Sequence, residues 1–265
     1  MPDEIMGYYN KRKETLLKEL DRTTLLMEDS LVARYGQDLA STLQREVRQE
    51  YEKLIPEIPY IKGMRAKPLN TFLLITAQEL ATYKAMRKHG KPPEEAWEVC
   101  HEALRLRSAE IPQWKRWLLK HFMFSSLVKK IMQRRARKQE KGRFGDFEIE
   151  YLIGNGDDFD FGVNYLQCGN LNFAKKHGGE EFAPYICMSD IALSDAMGWG
   201  LIRTQTLADG CDHCDFRFKK GAATRISSRT PEVQKTIEKI CNKESERNTR
   251  GTDEHNRLAK VRESQ

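Results

Sequence analysis

Leucines recur through residues 4–53 at Leu16, Leu20, Leu25, Leu31, Leu39 and Leu43 with charged residues between them. That spacing predicts a long amphipathic helix with one apolar face. Pro56 and Pro59 stop it, and IPEIPYIKG reads as a stiff connector because each proline disfavours helix at the residue before it. A second helix is predicted after Pro68 through TFLLITAQELATYKAMRKHG, with Gly90 suited to the left-handed position past its end. A third starts at Pro92-Pro93, where Glu94 and Glu95 meet the positive end of the helix dipole, and ends near Pro112. The fourth reads as one run, WKRWLLKHFMFSSLVKKIMQRRARKQE, dense in aromatic residues and cations.

After Gly145 the period changes. FEIEYLIGNGDDFDFGVNYLQCGNL alternates apolar and polar residues around a Gly-Asp turn, the pattern of a β-hairpin. A short helix is expected over 170–178, and another from Ser189 to Met197 with Asp190 in its positively polarised first turn and Gly198 at its end. WGLIRTQTLA and CDFRFKKG then alternate like two antiparallel strands joined by the Asp-Gly-Cys-Asp turn. The expected class is α+β: an N-terminal helical region packed with an antiparallel sheet that carries inserted helices. The helical region is drawn over 1–143 and the α+β region over 144–241, the two forming one integrated domain. Residues 242–265 are too polar to bury much and are expected to form a flexible tail.

Composition changes this picture little. The chain has 265 residues, 39% hydrophobic and 32% charged, with a net charge of +6. Charged residues at the start break any secretory signal core, and no apolar run approaches the ~20 residues that cross a bilayer, so a cytoplasmic protein is expected. Basic helices with aromatic residues, like the fourth, do lie on anionic membranes. Packing on the parent domain is the commoner arrangement, and peripheral membrane contact is not expected. The RRARKQEKGR run supplies salt-sensitive, sequence-blind phosphate affinity, with no groove-reading or base-stacking motif beside it, so no specific nucleic acid is expected either.

Chemistry concentrates late in the chain. Four of the six cysteines lie between Cys168 and Cys214, and TLADGCDHCDFRF crowds two thiols, an imidazole, three carboxylates and a guanidinium together. Cys211, His213 and Cys214 are zinc-type ligands, but strong zinc ribbons show two CxxC pairs and this chain has one, so no metal and no cofactor are expected. Period-two alternation places Cys214, Phe216 and Phe218 on one face of a strand and Asp215 and Arg217 on the other. It likewise groups Arg203 with Gln205 and Thr204 with Thr206. Two arginines flanking a pocket would each grip a carboxylate in a two-point contact, although an ordinary cross-strand ion pair needs the same residues. Cys187, just ahead of the helix that starts near Asp190, is placed where first-turn N–H groups would favour a thiolate, with His213 or Asp190 to handle protons. A buried core cysteine and a capping aspartate fit the same sequence.

The segments PYIKG, FDFGVNYLQCG, APYICMSDIALSDAMGWGLIRTQTLADG and CDFRFKKG together resemble the L-2-amino-thiazoline-4-carboxylic acid hydrolase family, over roughly residues 53–221. The resemblance implies hydrolysis of a cyclic isothiourea to N-carbamoyl-cysteine, by a thiol or an activated water. It implies catalytic roles for Cys187, Asp190, His213 and Cys214. Substrate contacts are implied for Arg203, Thr204, Thr206, Asp215, Arg217, Asn164, Gln167 and Cys168, and the substrate would be a small molecule bearing a carboxylate. Where the family favours acidic residues, neutral amides stand at Asn164 and Gln167, and an amide is neither a carboxylate base nor a charged ligand. That departure leaves a second expectation: a relative recruited to another small-molecule reaction, an isomerase, lyase or cyclase, or a ligand-binding protein without catalysis.

Overall fold

A computed structural model describes residues 4–138 and 141–242. The apolar period over 4–53 resolves into a short strand β1 (Glu4–Ile5) and three helices, α1 (Lys13–Leu26), α2 (Glu28–Tyr35) and α3 (Gln37–Leu54). One break falls at Gly36, whose φ of 76° with ψ of 164° lies where a side chain would be strained. The other falls at Met27, which is buried. Leucine spacing carries across both breaks, so the period could not reveal them.

Strand β2 (Tyr60–Ile61) pairs with β1, and Asn70 clamps it by bonding both the N–H and the carbonyl of Ile61 at 2.9 Å. Helices α4 (Lys67–Lys88) and α5 (Pro93–Ala109) follow the predicted spans closely. α4 is the axis of the helical layer: Leu73, Ala77, Leu80, Ala81 and Ala85 are fully buried, and the alanines let α3 and α5 approach closely. The expected fourth helix is two, α6 (Gln113–Met123) and α7 (Ser126–Arg137), with the Ser125 hydroxyl accepting the Val128 N–H at 3.3 Å to start the second. α7 packs Met132 and Ala136 on the Ile149, Tyr151 and Val163 cluster of the sheet, as expected of this segment, whereas α6 buries no residue and leaves its apolar stripe exposed, which corrects the expectation for that half.

The remainder supplies β3 (Lys141–Phe144), β4 (Phe147–Ile153), β5 (Phe161–Gln167), α8 (Gly169–Lys176), α9 (Ala183–Ile186), α10 (Asp190–Met197), β6 (Leu201–Arg203), β7 (Cys214–Phe218), β8 (Arg225–Ile226) and a helix α11 over 231–242. The strands form one sheet in the order β3-β4-β5-β7-β6-β8, antiparallel except for the β6/β8 pair. The fold is therefore α+β. The predicted strand over 199–208 shortens to Leu201–Arg203 for a local reason: the Asp215 carboxylate accepts the N–H groups of Thr204 and Gln205 at 2.8 Å and takes them from the ladder. Gly200, with φ at +60°, lies so close to the carbonyl of Lys219 that no Cβ would fit. One buried cluster runs from Tyr9 to Ile240, across the boundary drawn near residue 143. The tail beyond residue 242 lies outside the described residues.

Candidate active site

The inner face of the sheet does not close fully on the helices. Between β5, β7 and the helices α4, α6, α8 and α10 lies a cavity of about 240 Å³, room for a metabolite-sized ring. Alternation along β7 turns Cys214, Phe216 and Phe218 into it, and cross-strand pairing sets Tyr165 beside Cys214. α4 contributes Phe72, Ile75, Thr76 and Glu79, a stripe at the spacing of one helix face. Most of the wall is apolar, so the few polar groups in it stand in a weakly screened environment.

Those polar groups converge. Arg203, 2% exposed, donates from Nη1 to the carbonyl of Cys187 at 2.7 Å and to the Asp190 carboxylate. Its guanidinium carbon lies 5.6 Å from the centre of the Phe216 ring. The Asp190 side chain is 22% exposed, and since Asp190 lines the cavity it is available to a ligand there. Burial raises the Asp190 pKa from its ordinary value, against the pull of Arg203. Glu79 accepts a hydrogen bond from the Ser189 hydroxyl, and burial pushes its pKa up to about 8. It therefore carries its proton at neutral pH. Three buried polar atoms around this cavity make no hydrogen bond among the described residues: Arg203 Nε, Glu79 Oε2 and Asn170 Oδ1. A buried donor or acceptor left unpaired is costly, on the order of 1–3 kcal/mol, and a ligand that pairs it recovers that cost.

Cys168, Cys187 and Cys214 all line the cavity. Burial pushes the Cys168 and Cys214 thiols up to about 12 and raises that of Cys187 further, despite the opposing charge of Arg203. The expected helix N-terminus beside Cys187 is not there, because the chain is already helical from Ala183 through Met197 and the N–H groups ahead of Asp190 lie within it. Burial outweighs both the Arg203 charge beside Cys187 and the Leu207 N–H that donates to Cys214 Sγ at 3.2 Å, so the arrangement as a whole does not favour a resting thiolate. Among the described residues, no group of three or more His, Cys, Asp or Glu is placed to hold a metal ion.

The other sequence candidates lie elsewhere. Asn164 donates to Glu150 at 3.0 Å and accepts from Arg217 at 2.9 Å on the outer face of the sheet. Asp215 accepts the Thr204 hydroxyl at 2.6 Å. The Thr206 hydroxyl caps the turn at Leu207–Asp209, where it accepts the Asp209 N–H at 3.1 Å. His213 meets the amide of Gln205 at 3.0 Å, and Gln167 ends β5 opposite Glu148. None of these seven, Arg217 included, lines the cavity. The amides at Asn164 and Gln167 therefore do not alter the cavity's acid–base groups.

The pattern of the L-2-amino-thiazoline-4-carboxylic acid hydrolase family matches residues 72–218. The chain belongs to that family. No curated protein and no solved structure matches it. The match is narrower than the 53–221 read from the sequence, and its limits are informative. Phe72 and Phe218 are its first and last residues, and they are also the first and last residues of the chain to line the cavity. What the hydrolase family shares thus contains the whole cavity wall, while α1, α2 and α3 lie outside it.

Sequence reasoning missed Glu79, Ser189, Asn170 and Tyr165. For Glu79 there was a signal, a lone acid seven residues after Phe72 on a stripe with Ile75 and Thr76. A second cavity of about 420 Å³ in the helical layer shares Ile75, Glu79 and Leu193 with the first, and no period in the sequence points to it.

Proposed function

We propose that the cavity opens a small cyclic amidine or isothiourea ring by attack of an activated water, with L-2-amino-thiazoline-4-carboxylate as the substrate to try first. The observation that carries this reading is the Asp190–Arg203 pair at a partly open, mostly apolar cavity, beside buried polar atoms that lack partners among the described residues. The family supplies the reaction class.

In this mechanism Arg203 Nε holds the substrate carboxylate and Asn170 Oδ1 accepts from the exocyclic amine. Asp190, whose raised pKa makes it a better base than an exposed aspartate, takes a proton from water as the oxygen bonds to the carbon between nitrogen and sulfur. The carbon–sulfur bond then breaks with its electron pair on sulfur. Glu79, protonated at neutral pH, is the acid that delivers a proton to the leaving sulfur. One water is consumed. Its oxygen becomes the carbonyl of N-carbamoyl-cysteine; Asp190 passes the proton it took to the ring nitrogen, and the hydroxyl proton of the collapsing intermediate returns to Glu79, so both acids are restored.

Water is favoured over a thiol because burial keeps all three cavity thiols protonated. The test is incubation of the protein with the thiazoline and mass-spectrometric detection of N-carbamoyl-cysteine. Turnover is expected in the wild type and in Cys187→Ser. Absence of product from the wild type would overturn the substrate assignment. Product from the wild type but none from Cys187→Ser would replace the water mechanism with a covalent one.

A further inference from the structure

Helix α6 is mounted inside out. Trp114, Trp117, Leu118 and Phe122 are between 53% and 62% exposed, while Arg116 and Lys120 on the opposite side are half-buried. The stem of Lys120 lies against Gly198 at the end of α10. A helix packed on its own domain does the reverse and turns its apolar stripe inward. The exposure continues into α7 at Leu127 and Ile131. Among the described residues, seven of the twelve exposed large hydrophobic side chains fall between 114 and 131, so this is one patch and not the scatter usual on a surface.

Charge identifies what covers it. Residues 113–138 contain nine lysines and arginines and neither aspartate nor glutamate. Of these, Lys129 pairs with Asp160 and Arg135 bonds Tyr151, while Lys130, Arg134, Arg137 and Lys138 are exposed. A second copy of the same face would bring like charge against like charge. An anionic bilayer matches both features, because tryptophan rings favour the headgroup level and each cation near the surface adds about 1 kcal/mol.

We propose that α6 and α7 form an interfacial docking element that lays its aromatic face on an anionic phospholipid surface. The same element walls the cavity, since Met123 at the end of α6 lines it beside Trp199 and Phe218. Docking would set the cavity about one helix diameter, roughly 10 Å, from the headgroups. The docking surface does not depend on the reaction proposed above.

The experiment is co-sedimentation of the full chain with vesicles of phosphatidylcholine alone or of phosphatidylcholine mixed with phosphatidylserine. Binding is expected only to the anionic vesicles, with a blue shift of tryptophan fluorescence and loss of binding at ~0.5 M salt, where charges are screened within a few ångströms. Trp114→Ser/Trp117→Ser is expected to abolish binding. Lys130→Gln/Arg134→Gln should weaken it roughly fivefold for each charge removed. The four side chains are exposed, so both variants should melt with the wild type. Failure to bind anionic vesicles, equal binding by the tryptophan variant, or a wild-type dimer that this variant converts to monomer would each overturn the proposal, the last by assigning the face to self-association.

Discussion

The two faces of the β5–β7 ribbon carry similar functional groups in opposite states. On the outer face Arg217, Asn164 and Glu150 form a chain of hydrogen bonds, and Asp215 accepts from Thr204 and Gln205. Each of these groups has a partner. On the inner face Arg203 and Asp190 hold each other, yet Arg203 Nε, Glu79 Oε2 and Asn170 Oδ1 are buried without one. An arginine, a carboxylate and an amide occur in both places. What separates a structural network from a candidate binding site is whether the hydrogen bonding is complete without a ligand.

The largest expected effect lies at the inner pair. Asp190→Asn should lower kcat/KM for the thiazoline by about 10²–10⁴-fold, the usual contribution of a positioned base, and should also cost some stability, because the buried Arg203 charge then faces a neutral amide. Arg203→Met should remove activity and also destabilise the protein by roughly 1–3 kcal/mol, because the partly exposed Asp190 loses its counter-ion and the Cys187 carbonyl its donor. Combining the two substitutions should restore much of the stability and none of the turnover. Thermal melts alongside kinetics check this. An Asp190→Asn enzyme with wild-type kcat/KM would erase the distinction between the two faces.

Next in size is a pH effect that depends on Glu79 being inside. In the unfolded chain its carboxyl loses its proton above the ordinary value of 4.5, while in the fold it keeps that proton up to about pH 8. Between those values the folded state binds more protons, so this group lowers stability as pH rises, by up to about 1.4 kcal/mol per unit, and the loss is complete above about pH 8. Glu79→Gln keeps the shape and cannot ionise. Melting temperatures from pH 5 to 8 should therefore fall less steeply in the variant than in the wild type. Parallel curves would show that Glu79 ionises freely and could not serve as the acid.

The sequence made the α+β class and the alternation of β7 legible, because both rest on local periods. Inner and outer faces of that strand follow from Cys214, Phe216 and Phe218 standing two residues apart. Which face holds the cavity was not legible, since it depends on how α4 and α10 cross the sheet far away in sequence. Crowding misled for the same reason. His213, Asp215 and Thr206 are neighbours of Cys214 along the chain, but a turn and a strand edge direct them into capping bonds. Glu79 precedes Ser189 by 110 residues and reaches it only through the packing of the helical layer. The breaks at Met27 and Ser125 escaped because an apolar period continues across each.

The smallest effect sharpens the comparison most. Arg217→Gln should leave kcat/KM within about twofold of the wild type. The substitution removes the bonds to Asn164 Oδ1 and to the carbonyl of Phe216 at 3.0 Å, worth about 1 kcal/mol each at most in a half-buried setting. Glutamine can still reach one of those partners, so the expected loss of stability is about 1 kcal/mol. Arg217 sits on the strand next to Phe216 and Phe218, both of which line the cavity, so any slip in the β7 register would reach the substrate. A stability change without a kinetic one would mean that the register holds and that the outer network only supports the sheet. A large fall in kcat with KM unchanged would mean instead that the outer face sets the position of the inner one, and the two faces would then have to be treated as one site.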